Sequence, residues 1–199
     1  MKISSTDKLF KNAIDLNPTS IENTTKNNLM LYSEGYKEAG NILYEFYIKN
    51  KYFENWIIFP LVFNYRHYVE LKLKELIFIG KLYLEEKKKI PNEHKLLVLW
   101  KEYRNNILSK IESSICKDDL DKIEMIISEF DKKDSNSMKF RYPLNKNDFL
   151  TRSLDKPYFD LKNFKNIIDE VIIFFNEQSL MITNYQELKN QSLDNINWE

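Results

Sequence analysis

Residues that break or cross-link a chain are scarce in this sequence. It contains one cysteine, three glycines and five prolines among its 199 residues. The single thiol, Cys116, excludes an intrachain disulfide, as expected for a reducing compartment. Because Lys-Asp-Asp follows it, we interpret this thiol as an inert core or boundary cysteine rather than a nucleophile. The low glycine and proline content favours long, uninterrupted helices.

The sequence also has no long hydrophobic run. The longest one, WIIFPLVF over 56–63, is far shorter than the roughly 18 residues of a membrane span. The first residues lack the apolar stretch of a signal peptide. The sequence therefore predicts a cytoplasmic protein that has no membrane partner.

Net charge is the next absence, because 30 basic residues balance 30 acidic ones. This balance argues against a protein that coats nucleic acid through bulk charge. It is still compatible with a local basic groove. Hydrophobic residues make up 43% of the chain and aromatic residues 14%, which excludes a disordered protein. The many Phe and Tyr residues accompany a general bias toward Asn, Ile and Lys, so their number alone does not indicate base stacking.

Several signatures of known sites are missing as well. The chain contains no glycine-rich phosphate loop, no Cys or His cluster at zinc spacing and no nucleophile elbow. Its only histidines are His67 and His94, and neither belongs to a Glu-x-x-His pair. We therefore expect neither a bound metal nor another cofactor.

Apolar residues recur at helical spacing along most of the chain. The predicted helices cover about 6–16, 25–49, 60–86, 93–111, 119–130 and 161–178, with a further helical tail over about 180–190. We expect Asn92, Asp118 or Asp119, and Asp160 to cap three of these helices. Pro60 either starts the third helix or kinks one that begins near Phe53.

Residues 131–159 are polar and contain two prolines, which predicts a long ordered loop of a kind that often carries function. No alternating run is long enough to predict a sheet. The sequence therefore predicts an all-α, up-and-down helical bundle in a single domain over 1–199, with the N-terminal helices over about 6–49 packed on the rest.

The third predicted helix carries a polar stripe over 64–76. His67, Glu70 and Lys74 fall within roughly a 60° arc, and Arg66 lies about 40° beyond its edge. One interpretation is a solvated face on which Glu70 and Lys74 form an ordinary i,i+4 pair. The other is a groove or interface, because this helix is apolar around most of its circumference and an unpaired buried charge is costly.

Two further features are candidate ligand contacts. His94 lies in the first predicted turn of its helix, where a histidine commonly caps or packs locally. Arg141 lies in the long loop, beside Tyr142 and before a proline that favours extended backbone. Arg141 could reach a carboxylate or phosphate of a ligand. Alternatively, Tyr142 anchors the loop in the core and Arg141 pairs with an acidic residue.

The order of these motifs resembles a known family. Along the chain they are His67-x-x-Glu70-x-x-x-Lys74, then His94-x-Leu96-x-x-Leu99, then Arg141-Tyr142-Pro143. This order resembles the HEPN superfamily, in the branch with His-x-x-Glu-x-x-x-Lys, His-Asp-Leu and Arg-Tyr-Pro motifs. The likeness covers roughly 55–180, and Lys95 stands where that branch has Asp.

The resemblance implies a helical bundle that commonly forms a homodimer. HEPN proteins are often encoded beside a minimal nucleotidyltransferase, or act in toxin–antitoxin and anti-phage systems. Many are metal-independent ribonucleases that place an Arg four to six residues before a His. This chain departs from that spacing, because Arg66 directly precedes His67 and no other arginine precedes either histidine.

Three functional hypotheses follow from these residues and the resemblance. The first is a HEPN-like nucleotide- or RNA-binding regulatory module of a defence system, with His67, Glu70, Lys74, Arg141 and Tyr142 contacting the ligand. The second is a divergent metal-independent ribonuclease, in which His67 or His94 is the general acid or base and Arg66 or Arg141 stabilises the phosphorane. The third is a structural interaction protein with no ligand, whose polar stripe satisfies its own core.

Overall fold

Helices form nearly all of the protein's described structure. This structure is a computed structural model, and it describes residues 28–50, 55–87, 89–112, 114–145, 148–152 and 160–196. The helices are α1 (Asn28–Lys49), α2 (Ile58–Tyr83), α3 (Leu96–Glu102), α4 (Ser109–Ile111), α5 (Lys117–Asp134) and α6 (Leu161–Ile196). The predicted all-α fold is thus confirmed. The predicted helix over 6–16 lies outside the described residues.

The central element is α2, which packs against α1, α3 and α6. Its buried apolar side chains are Ile58, Leu61, Val62, Tyr65, Tyr68, Val69, Leu73, Leu76 and Ile77. A 3-10 turn, Asn55–Ile57, leads into the helix, and Pro60 lies in its first turn. Pro60 therefore accompanies the start of α2, where a missing amide donor costs little. Phe53, near which the alternative longer helix would begin, lies outside the described residues.

Close packing of α1 on α2 depends on Gly40. A Cβ atom at this position would lie 2.9 Å from the Cζ atom of Tyr65. The Tyr65 hydroxyl donates a hydrogen bond to Asn41 Oδ1 at 2.6 Å. The absent side chain thus lets an aromatic ring reach the α1 backbone.

The start of α3 differs from the prediction. The helix begins at Leu96, and Asn92 is not its cap. The amides of Leu96 and Leu97 instead donate to the two carboxylate oxygens of Asp131 on α5, at 2.9 and 3.3 Å. A side chain 35 residues away thus satisfies amides that a local cap satisfies in other helices.

A π-helical segment, Tyr103–Leu108, joins α3 to α4. It brings Ile107 onto Gly80 of α2 so closely that a Cβ atom on Gly80 would collide with Ile107 Cγ2. The Ile107 side chain therefore packs directly on the α2 backbone at this point.

Both ends of α5 differ from the prediction. The helix begins at Lys117 after Cys116, so Asp118 and Asp119 lie in its first turn rather than at the cap. Cys116 is exposed, which agrees with a boundary position. The helix also continues to Asp134, into the segment predicted as loop.

The rest of that segment is not all loop. It contains a short antiparallel hairpin of β1 (Leu144–Asn145) and β2 (Asp148–Arg152), with Leu144 opposite Arg152. The hairpin was missed because its strands are too short to show an alternating pattern.

The last helix, α6, follows the prediction at its start and exceeds it at its end. Asn163 donates its amide to Asp160 Oδ1 at 3.0 Å, so the predicted cap is confirmed. The predicted tail continues the same helix to Ile196. Across the part of the chain that the structure describes, none of the helices has the length and apolarity needed to cross a membrane.

Candidate functional site

The centre of the candidate site is the carboxylate of Glu70 on α2, and the residue as a whole is 1% exposed. Its Oε2 accepts a hydrogen bond from Arg66 Nη1 at 3.0 Å, and its Oε1 accepts one from Lys74 Nζ at 3.0 Å. The same Oε1 lies 2.9 Å from Nδ1 of His94. Burial raises the pKa of Glu70, but the bonds from His94, Lys74 and Arg66 outweigh it and hold that pKa below its usual value. Glu70 is therefore an ionised, enclosed carboxylate.

Arg66 links three parts of the fold and is fully buried. Its Nη2 donates to the backbone oxygen of His94 at 2.9 Å, and its Nε donates to the backbone oxygen of Asp134 at 3.1 Å. The guanidinium therefore joins α2 to the segment before α3 and to the end of α5. Because the side chain is enclosed, Arg66 cannot contact a phosphorane at the surface in this conformation, and its observed role is positional.

Asp134, at the end of α5, is a site residue that the sequence analysis missed. It is fully buried, and its Oδ2 lies 3.7 Å from Arg66 Nε. Its Oδ1 accepts hydrogen bonds from the amides of Met138 and Lys139, at 2.7 and 3.0 Å. Asp134 thereby fixes the segment that carries Arg141. An aspartate before Ser-Asn-Ser is typical of such side-chain-to-backbone turns and was the available signal.

His94 is the part of this network that reaches solvent. Its side chain is 62% exposed, whereas that of Glu70 is 2% exposed. Since Glu70 is ionised, a neutral His94 ring carries its proton on Nδ1, and this N–H donates a hydrogen bond to the carboxylate. The Nε2 atom is then the acceptor, on the ring edge opposite the carboxylate. The backbone of His94 also makes a local turn, with its amide donating to Glu93 Oε1 at 2.7 Å.

His67 lies on the same face of α2 but in an aromatic setting. Its ring stacks on Phe63 at a centroid distance of 5.6 Å and an interplanar angle of 10°. Tyr36 of α1 meets it edge-on at 4.3 Å. Burial lowers the pKa of His67; Arg66, Lys74 and Arg141 lower it further, and Glu70 opposes them. His67 is therefore neutral near pH 7.

Arg141 lies at the other end of this aromatic group. Its Cζ atom is 5.4 Å from the centre of the Phe63 ring and 5.8 Å from that of Tyr142. Its Nε donates to the backbone oxygen of Ser137 at 2.6 Å. Tyr142 is 51% exposed. The alternative in which Tyr142 is a core anchor is therefore wrong. Among the described residues, Arg141 contacts backbone, sulfur and ring atoms and pairs with no acidic side chain.

These residues form two adjoining groups along α2. The Glu70 cluster consists of Arg66, Glu70, Lys74, His94 and Asp134. The aromatic face consists of Phe59, Phe63, His67, Arg141 and Tyr142. Phe63 and Glu70 are two helical turns apart, or about 10 Å along the axis. The structure thus brings all the predicted site residues to one side of α2, but only His94, Arg141 and Tyr142 are exposed.

A pocket of about 200 Å³ opens beside the aromatic face. It is lined by Phe59, Lys139, Phe140, Arg141, Tyr142 and Pro143. No group of three or more His, Cys, Asp or Glu residues within the described ranges could hold a metal ion.

Comparison with known proteins does not assign the chain to a family. It matches no protein-family model, no curated protein and no solved structure. The function is therefore argued from the residues and their geometry.

Proposed function

We propose that this protein is a HEPN-like RNA- or nucleotide-binding module of a bacterial toxin–antitoxin or anti-phage defence system. The observation that supports it best is the exposed imidazole of His94, whose Nδ1 lies 2.9 Å from an enclosed, ionised carboxylate. In this proposal the ligand contacts His94, Arg141 and Tyr142. The buried residues Glu70 and Lys74 act behind them by fixing His94.

Local charge supports an anionic ligand. Within the Glu70 cluster, the positive charges of Arg66 and Lys74 are balanced by the negative charges of Glu70 and Asp134. Lys139 and Arg141 lie outside that balance and line the adjoining pocket. Although the whole chain is neutral, the lining of this pocket carries two cations and no carboxylate, which suits a phosphate group.

The test is to titrate nucleotides and short single-stranded RNA against the wild type, Arg141→Ala, and Glu70→Ala combined with Arg141→Ala. Loss of a charge-assisted hydrogen bond of roughly 1.5–3 kcal/mol should weaken binding at least tenfold in Arg141→Ala. Lys110→Ala is the matched control, because Lys110 pairs with Glu86 near the opposite end of α2. Negligible binding by the wild type would contradict ligand binding and leave a protein-interaction role.

A second candidate, a metal-independent ribonuclease, is favoured by one specific observation. A histidine whose Nδ1 is held by a carboxylate and whose other ring edge faces solvent has the arrangement of a general base or acid. His94 would take that role, with Arg141 as the accessible cation. His67 is a weaker candidate, since its ring stacks on Phe63 and is met edge-on by Tyr36.

This candidate is tested by incubating RNA with the protein in EDTA. Cleavage by the wild type that is lost in His94→Ala and kept in His67→Ala supports it. Cleavage that survives both substitutions would belong to a contaminant or to other residues. We expect the protein to act as a homodimer with a nucleotidyltransferase or another defence-system protein as its partner, and sedimentation analysis checks the first point.

A further inference from the structure

The pocket beside the aromatic face combines two kinds of lining group. Phe59, Phe140 and Tyr142 supply aromatic rings, and Lys139 and Arg141 supply positive charge. Two of the rings reach the surface, since Phe59 is 37% exposed and Tyr142 is 51% exposed. A purely apolar pocket would suit an aliphatic side chain. Cations at its rim suit a planar group that is attached to an anionic chain.

The pocket's size limits what can enter it. Its volume of about 200 Å³ is smaller than the roughly 300–1,000 Å³ of sites for drug-sized ligands. One ring system therefore fits, and a whole nucleotide with its phosphates does not. The sugar and phosphates would have to remain outside, beside Lys139 and Arg141.

The aromatic face continues from this pocket toward His94. Arg141 lies over the rings of both Phe63 and Tyr142. Aromatic rings and guanidinium planes are the groups on which unpaired RNA bases stack. Glu70, which holds His94, lies eleven residues after Phe59 on α2. This separation is about 16 Å along the helix axis. That distance calls for an oligonucleotide rather than a single base.

We infer that this pocket holds one unstacked base of a single-stranded RNA, whose backbone then runs past Arg141 toward His94. The inference rests on the proposed RNA-binding function and adds a defined base-binding subsite. Stacking contacts every base through its ring face, so binding here tolerates different base identities. Its strength depends on the Tyr142 ring and not on the Tyr142 hydroxyl.

The experiment uses short single-stranded RNAs that carry one 2-aminopurine, a base whose fluorescence falls when it stacks on an aromatic ring. Wild type, Tyr142→Ala, Tyr142→Leu and Tyr142→Phe are compared at equal, verified folding. We expect quenching on binding to the wild type and to Tyr142→Phe. For Tyr142→Ala and Tyr142→Leu we expect weaker quenching and a Kd about tenfold higher. Affinity should also rise from a mononucleotide to a trinucleotide.

Tyr185→Ala is the matched control, because Tyr185 contacts Tyr83 at the far end of α2. Full affinity in Tyr142→Leu, or equal behaviour of Tyr142→Ala and Tyr185→Ala, would overturn the base-binding subsite and leave RNA binding intact. Binding without any quenching would do the same. If the wild type binds none of these RNAs, both the subsite and the proposed function are wrong.

Discussion

Two buried carboxylates on α2 differ in a way that separates a structural ion pair from a candidate site. The carboxylate of Glu75 accepts two hydrogen bonds from Lys72 Nζ, at 3.0 and 3.2 Å, and one from Ser179 Oγ of α6, at 3.2 Å. Lys72 and Glu75 are 3% and 7% exposed. The Glu75 cluster, which consists of Lys72, Glu75 and Ser179, therefore ties α2 to α6 inside the protein.

The Glu70 carboxylate is just as well enclosed, but one of its partners is not. His94 is 62% exposed, so the network that begins at a buried anion ends at a surface imidazole. Both clusters lose solvation when they are buried, and in both the charges are paired. Burial of charge alone thus does not identify a site on α2. The exposed end of the Glu70 cluster is what makes it the candidate, and Glu75 provides its internal control.

The largest stability effect should come from Arg66→Ala. This change leaves Asp134 without its cation, leaves Glu70 with Lys74 alone as its enclosed cation, and removes the hydrogen bonds to two backbone oxygens. We expect the free energy of unfolding to fall by about 3–5 kcal/mol. Urea denaturation measures it, with Lys72→Ala as the comparison. Because Lys72 serves a single carboxylate, an equal or greater loss in Lys72→Ala would contradict this ranking.

Glu70→Gln and Glu75→Gln should have similar effects on stability, smaller than that of Arg66→Ala. Their effects on RNA binding should differ. Each change replaces a buried carboxylate oxygen by an amide, so each should lower the free energy of unfolding by about 1–3 kcal/mol. Only Glu70→Gln should weaken RNA binding, since it alone alters the support of His94. Equal affinity of the two variants would show that the exposed histidine has no functional dependence on Glu70.

The contacts of Glu70 also show which parts of the candidate site could be predicted from the sequence. Helical spacing was enough to predict the Glu70–Lys74 pair, which forms at 3.0 Å. It did not identify Arg66 as the central cation, because Arg66 lay outside the polar arc. Its partner Asp134 lies 68 residues away on another helix. Periodicity predicts which face a residue occupies, whereas partners on other helices depend on tertiary packing.

The ligand candidates were predicted as residues but not as an arrangement. His67 and Glu70 share a face, yet His67 joins aromatic rings and Glu70 joins His94. The pocket residues Phe59 and Lys139 had no recognisable pattern, since they meet only when the segment after α5 folds onto α2. Similarly, Asn92 was a plausible cap by residue type and was displaced by a distant carboxylate.

The next effect in size is a dependence of stability on pH, which we expect from His67 on the face of α2 that carries Glu70. Burial lowers the pKa of His67, so the folded state resists protonation more than the unfolded state, whose histidine titrates near 6.5. Stability is therefore fully present above that pH and falls as the pH drops below it, by at most about 1.4 kcal/mol per pH unit.

Denaturation midpoints between pH 5 and 7.5 measure this slope, and His67→Phe should reduce it. Glu75→Gln should leave it unchanged, because Glu70 and not Glu75 is among the charges that shift the pKa of His67. An unchanged slope in His67→Phe would mean that another group titrates in this range.

The smallest stability effects should come from His94→Ala and Ser179→Ala. Each removes one donor from a buried carboxylate that keeps its lysine partner, so each should cost no more than about 1 kcal/mol. Their effects on RNA binding should differ: near-complete loss for His94→Ala and none for Ser179→Ala. Thermal denaturation and the RNA titration together test the pair, and an undiminished affinity in His94→Ala would remove His94 from the site.

The capping of α3 by Asp131 has a consequence for the order of folding. The amides of Leu96 and Leu97 have their carboxylate acceptor on α5, so this helix end is completed only after a loop of more than thirty residues has closed. Hydrogen exchange at these two amides should then report the docking of α5 rather than local fraying of α3. Because the neighbouring His94 carbonyl is held by Arg66, the same opening would release the backbone that positions the exposed imidazole.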